Sequence, residues 1–429
     1  MPIEDIPICS GSEFHQVLEG NLFKKWQEGK PTVLRIQPEH VETRIEKAVN
    51  SILENNGTYV AGDNVVIHSR HDALSLAVEI GYVLKKYWDC NPCIIYFIPS
   101  NPPLANKLVS SLPDQAKLER ITKQYMSLTK FADHWIVPYG TPKDEPNETE
   151  KNAISTFIKF FGRGVSELSE KRHKRILKSQ DLITFPIAHE GERLNLSFEE
   201  WTDIMYKALS VTKERLEKDI ASWQYLKALE GAYHGKTIKV YRGGNYPVNL
   251  TMKLEGRAVI KDIGKVGENA IFGKHYSSIT NYPPGEVFTT PIEETVNGEI
   301  YSGIPLITER GTIEDYHLIF KNGRVMLAEA SKGEDALRYY VGLATPKDEN
   351  EKQLYAIMNI AAELGFGMNP FLQFDKTTGN GLVDEKMKGM HFATGSNTSW
   401  GGKNPDSIAG YDVEHTDFII GRVDKVYCV

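Results

Sequence analysis

Residues 62–98, GDNVVIHSRHDALSLAVEIGYVLKKYWDCNPCIIYFI, hold the pattern that sets the fold class. Val65-Val66-Ile67 behind Gly62-Asp63 is a short buried-strand run. Over 72–87, Leu74, Ala77, Gly81 and Leu84 recur at helical spacing, and Ile94 to Ile98 then resumes a strand. Strand, helix and strand in that order predict a parallel pair with a right-handed crossover, hence an α/β layer. A helical pattern at 113–130 leads into His134-Trp135-Ile136-Val137 and extends the sheet. Cys90 and Cys93 form a CxxC, but it runs into a strand rather than opening a helix, so buried reduced thiols are expected rather than a redox or zinc pair.

Outward from that unit, TPKDEPNETEKN at 141–152 reads as a solvated loop, and the basic cluster Lys171 to Arg175 as a solvated helix face. Ser197-Phe198-Glu199-Glu200 is a capping box that should start a helix, with another from Lys213 to Tyr233. After Gly235 the texture changes to short β-type runs (Thr237 to Tyr241, Leu250 to Leu254, Val287 to Thr290, His317 to Phe320), and only 350–364 looks strongly helical. The expected organisation is an N-terminal extension at 1–55, an α/β domain with a parallel sheet at 56–234, and a mostly β domain at 235–429.

Composition narrows the function classes. The chain has 429 residues, 50 Lys+Arg against 57 Asp+Glu, a formal charge of -7, 41% hydrophobic and 25% charged residues, which excludes a disordered or fibrous chain. The acidic excess gives no footprint for nucleic acid. Met1 to Ser10 lacks a basic segment followed by an apolar one, and no run of about 20 apolar residues occurs, so neither signal peptide nor membrane span is expected, and the cytoplasm is. Four cysteines are too few for a disulfide scaffold.

Residues with metal-ligand chemistry concentrate in the second half. In Glu414-His415-Thr416-Asp417, a strand would project His415 and Asp417 from one face, an imidazole and a carboxylate aimed at one point. A surface hydrogen bond is the plainer alternative. His391 lies between Gly389 and Gly395, and with that pair would complete a two-histidine, one-carboxylate set suited to zinc, cobalt or non-haem iron. Glu286 follows the rigid Pro283-Pro284-Gly285 turn, and Glu363 is read at the end of an apolar helix; each alone reads more readily as a solvated carboxylate at an element end. Taken together, five such ligands could hold two divalent ions.

These segments carry a family resemblance. Gly285-Glu286-Val287-Phe288-Thr289-Thr290-Pro291 with Asn297-Gly298, Glu329-Ala330-Ser331-Lys332-Gly333-Glu334, Glu363-Leu364-Gly365, Met390-His391-Phe392-Ala393 and His415-Thr416-Asp417 resemble, in order and approximate spacing, the thermophilic metalloprotease family of aminopeptidase T, S and II type. Gly62 to Ile67 and Ala132 to Trp135 resemble its earlier strands, so the likeness runs over roughly 55–429. The resemblance implies an α/β domain followed by one carrying two metal ions (zinc, cobalt or manganese), a homodimer, and removal of an N-terminal residue from peptides or related amides by a metal-bridged hydroxide. It implies Glu286, Glu363, His391, His415 and Asp417 as ligands, with Glu329 a candidate general base and Lys332 a candidate electrostatic helper. Two bound divalent ions would bring the formal charge from -7 to about -3. The family's tyrosine seven residues after its first ligand histidine has no counterpart in Gly395-Ser396-Asn397-Thr398-Ser399-Trp400. That departure keeps a rival open: a mononuclear Fe(II) dioxygenase of the 2,5-dihydroxypyridine type using His391, His415 and Asp417. A non-catalytic binding member is the third reading.

Overall fold

A computed structural model describes residues 43–69, 74–96, 132–139, 177–308, 310–408 and 411–429. The expectations for 1–42, for the helix at 113–130, for the loop at 141–152 and for Lys171 to Arg175 lie outside the described residues. The chain divides into two compact units, residues 1–185 with 278–282, and residues 186–277 with 283–429.

The first unit is built on the βαβ unit of the opening stretch. Strand Asn64–Ser69, helix Leu74–Trp88 and strand Asn91–Tyr96 form a parallel pair. His134–Tyr139, Ser179–Thr184 and Ile279–Tyr282 add to the other edge, all parallel, giving five strands. Helix Thr43–Asn56 crosses the anticipated border at 55. It buries Ile45, Ala48, Val49, Ile52 and Leu53, and the Tyr282 hydroxyl donates to the Ile52 carbonyl at 3.0 Å, so this stretch is core rather than extension. Cys90 and Cys93 are free thiols, both pushed up by burial, Cys90 to about 11, which leaves them in the inert protonated form. Among the described residues no helix is long and apolar enough to cross a membrane.

Polar residues at the sheet's start are buried, apart from a partly exposed Lys178, and mutually satisfied. Nε2–H of His134 donates to Asp63 Oδ2 at 2.8 Å, and Lys178 Nζ donates to Asp63 Oδ1 at 2.6 Å. Asp181 accepts from Asn56 Nδ2 at 2.7 Å and from the Tyr59 hydroxyl at 2.5 Å. Burial lowers the His134 pKa. Burial would raise Asp63, but Lys178 and His134 outweigh it and hold the carboxyl below its usual range. Both groups are thus harder to protonate folded than unfolded, so their stabilisation is full above about pH 6.5 and is lost as pH falls. Amide protection factors in His134–Tyr139 and Ser179–Thr184 are expected to drop between about pH 7 and 4; protection that grows on acidification would contradict this.

The second unit holds two six-stranded sheets. One runs His415–Gly421, Gly389–Gly395, Ala361–Gly367, Glu286–Thr289, Val259–Asp262, Ala270–Phe272, each pair antiparallel. The other runs Arg324–Glu329, Tyr316–Lys321, Asn297–Ser302, Val248–Lys253, Thr237–Arg242, Lys425–Cys428, also antiparallel. They share one core, with Val287, Leu364, Phe366, Met390, Phe392, Phe418 and Ile420 from the first sheet and Val240, Leu250, Ile300, Leu318 and Val325 from the second. Because successive strand residues face opposite ways, Glu286, Glu363, His391, His415 and Asp417 all project from the far face of the first sheet.

Two boundaries differ from the sequence reading. The helical stretch before 235 belongs with the second unit, whose limit is at 185/186, because Leu216, Ile220, Leu229 and Ala232 bury into the shared core. It is also two helices, Lys213–Ala221 and Leu226–Tyr233. The helix at 350–364 stops at Met358, and Ala361–Gly367 is a strand buried at every position. An apolar run of that length fits either element, and the pairing partners on both sides decide it.

Candidate metal centre

Each candidate ligand is set by its strand and by a neighbour that yields space. Gly285 takes a left-handed φ of 119°, and a Cβ there would lie 2.9 Å from the Asn369 amide nitrogen, so the Pro-Pro-Gly turn presses against that loop. Asn369 Nδ2 closes the turn by donating to the Pro284 carbonyl at 2.7 Å. Glu286 therefore enters its strand from a locked position. Glu363 lies within a strand rather than ending a helix, as the sequence had suggested, and this puts its carboxylate at the middle of the sheet face. His391 pairs in register with Gly365, and its imidazole fills the volume that a side chain at Gly365 would take. His415 Nδ1–H donates to the Ser396 carbonyl at 2.7 Å, which leaves Nε2 as the ring atom that faces the carboxylates and could bind a metal once deprotonated.

The five side chains form two groups that share one member. Glu286, Glu363 and His391 bring donor atoms within 4.8 Å of one another, and Glu363, His415 and Asp417 do the same. His391 Nε2 is 2.8 Å from Glu286 Oε1 and 3.2 Å from Glu363 Oε1; His415 Nε2 is 3.5 Å from both Glu363 Oε2 and Asp417 Oδ1. The two oxygens of Glu363 thus serve one group each. Asp417 Oδ1 is buried with no hydrogen bond among the described residues. Three carboxylates and two imidazoles converging on the same space, with one orphaned acceptor, suit divalent cations.

Without such cations, protons hold the groups together. Burial opposes a charge on His391, but Glu286 and Glu363 keep its proton well above the usual imidazole range. Burial likewise opposes charge on His415 and Asp417, yet each outweighs it for the other, carrying His415 up to about 9 and Asp417 down to about 2. Glu363 is pushed up, by burial first and then by Glu286 and Asp417. Divalent ions would displace these protons, so ion uptake should release them.

Sequence reasoning missed the residues behind Glu286. Lys386 is completely buried and pairs with Glu286 Oε2, with Glu385 Oε1 at 2.9 Å and with Asp262 Oδ2 at 3.1 Å. The adjacency of Asp384-Glu385-Lys386 to His391 was the available signal. Glu329 and Lys332, by contrast, are not brought to the centre. Glu329 ends an edge strand of the other sheet and is exposed, and Lys332 Nζ pairs with Glu314 at 2.7 Å near the surface. Their segment follows the second sheet, whose register carries it elsewhere. Where the family tyrosine is missing, the segment at 396–404 supplies the Ser396 carbonyl and the Trp400 ring, which stands 4.7 Å from the His415 ring at 66°.

A parallel α/β unit and a two-layer β unit with a carboxylate-rich centre on one sheet face are the class these features define. The family profile described as thermophilic metalloprotease (M29) matches residues 123–406, and the chain belongs to that family. The matched region contains Glu286, Glu363 and His391 and ends before His415 and Asp417. Aminopeptidase AmpS of Bacillus subtilis (strain 168) is 28% identical over 253 residues, 56% of each chain. Aminopeptidase 2 of Geobacillus stearothermophilus is 25% identical over 153 residues, 34% of this chain and 35% of that one. The chain thus spans about half or less of the length of these curated relatives. Wild-type AmpT from Thermus thermophilus has a similar fold, with a TM-score of 0.60 at 16% identity over 88% of this chain and 92% of that one.

Proposed function

We propose that the chain is a metal-dependent aminopeptidase-like hydrolase that removes an N-terminal residue from peptides or cleaves a related amide. The observation that carries this reading is Glu363, whose two oxygens are each claimed by a separate three-residue group. Two ions, zinc, cobalt or manganese, would be held by Glu286, Glu363 and His391 and by Glu363, His415 and Asp417, supplying Lewis acidity for a scissile carbonyl and a water made acidic near neutrality. The chain's own residues do the rest. The Ser396 carbonyl fixes the tautomer and aim of His415, Lys386 fixes one oxygen of Glu286, and the apolar core behind the sheet keeps water from that side. Membership of the family and the names of the relatives support the peptide substrate, and the same reading extends to a cytoplasmic homodimer.

The mononuclear dioxygenase reading fits less well, because His391 falls in one group and His415 with Asp417 in the other, and both glutamates are at the centre. A binding-only member would not need five converging ligands. Metal analysis of the purified protein should give about two divalent ions per chain, and a panel of aminoacyl p-nitroanilides should release product only with metal present. Two ions with silence across peptides, amides and anilides would overturn the hydrolase, and one iron per chain would favour the dioxygenase.

A further inference from the structure

Lys386 stands out once the ligands are accounted for. A lysine with no exposed surface is rare and requires paired charge. Its backbone is anchored: its amide donates to the Val383 carbonyl at 3.1 Å, and its carbonyl accepts from Asn369 at 3.2 Å, the residue that also closes the turn before Glu286. The following residue is clamped, since a Cβ on Gly367 would lie 1.8 Å from the Met387 carbonyl oxygen. The ammonium is therefore a fixed cation, and it holds Glu286 Oε2 while Oε1 faces His391.

The two groups are consequently unequal. At Glu286, Glu363 and His391 one carboxylate is shared with a permanent positive charge and limited to one free oxygen. At Glu363, His415 and Asp417 no lysine or arginine pairs with a carboxylate among the described residues, and Asp417 Oδ1 has only His415 Nε2 beside it, at 3.5 Å and without a hydrogen bond. Asp262 and Glu385 offset part of the ammonium's charge, but the ammonium still occupies Glu286 Oε2 and repels a divalent ion on the neighbouring oxygen. We infer that Lys386 is a positioning residue that makes the two metal positions unequal, so that the Glu363–His415–Asp417 position fills first and the Glu286–Glu363–His391 position holds a weaker, exchangeable ion. This rests on the two-ion reading above.

Calorimetric titration of chelator-treated protein with zinc, at fixed pH and buffer, reads it directly. Wild type should show two phases at least about tenfold apart in affinity, and Asp417→Asn should remove the tighter one. Lys386→Met should strengthen the weaker phase at least about tenfold, because repulsion goes and Glu286 gains a free oxygen, whereas Lys386→Arg should keep the gap. If Lys386→Met does not fold, the double variant Lys386→Met with Glu385→Gln removes one stranded carboxylate and takes its place. Equal wild-type sites, loss of the looser phase in Asp417→Asn, or a gap unchanged by Lys386→Met would overturn the inference. Fewer than two ions in wild type would overturn the two-ion reading beneath it.

Discussion

Glu363→Ala is expected to empty both metal positions at once, whereas Glu286→Ala or Asp417→Ala should each spare one. Glu363 is the single residue common to the two groups, with one oxygen 3.2 Å from His391 and the other 3.5 Å from His415. Bound metal should fall from about two ions per chain to well under one, and kcat/KM by about a thousandfold or more, since metal assistance is worth several kcal/mol and each 1.36 kcal/mol is tenfold. Stability of the metal-free protein should not suffer. Burial already raises the Glu363 carboxyl, and Glu286 and Asp417 add to that strain, so removing it relieves a crowded anionic site. Melting with and without zinc separates the effects: the variant should melt at or above the metal-free wild type and lose the metal-induced rise. A variant that keeps two ions would show that Glu363 is not the bridge.

Gly365→Ala is expected to do comparable damage without touching a ligand. An ideal Cβ on Gly365 would stand 1.9 Å from His391 Nε2 and 2.2 Å from its Cε1, far inside contact distance. His391 is buried in the sheet centre, so the imidazole can clear the methyl only by leaving its place between Glu286 and Glu363. Overpacking of this kind costs about 1–3 kcal/mol, which the fold should survive. Displacement of a ligand by about 1 Å is enough for a loss of roughly a hundredfold in kcat/KM. Metal content should fall to about one ion per chain, retained at Glu363, His415 and Asp417. Unchanged metal content and kinetics would mean that His391 is not required where the structure puts it.

Local periodicity made part of the site legible. The spacing of His415 and Asp417 puts them on one face of any strand, and the strand His415–Gly421 bears this out. The turn before Glu286 could be read from Pro283-Pro284-Gly285 alone. Glu363 could not be assigned to a strand, because its apolar neighbours fit a helix equally well and only pairing with Glu286–Thr289 and Gly389–Gly395 decides. Glu329 and Lys332 show the opposite failure: their family-like segment suggested chemistry, while the register of the second sheet puts them away from the centre.

From the sequence by itself came the parallel α/β layer, the β-rich character of the chain after 235 and the five side chains able to bind metal. The first two, and the shared face of His415 and Asp417, follow from short-range pattern, which a chain carries without knowing its partners, whereas Glu286, Glu363 and His391 joined the set through the family resemblance. Only the tertiary structure decided that Glu363 stands between two groups, that Lys386 holds Glu286, and that Gly365 makes room for His391. Those relations join residues brought together by strand register and by burial of a core shared between two sheets, and a one-residue slip in any of those strands would turn the ligand to the opposite face.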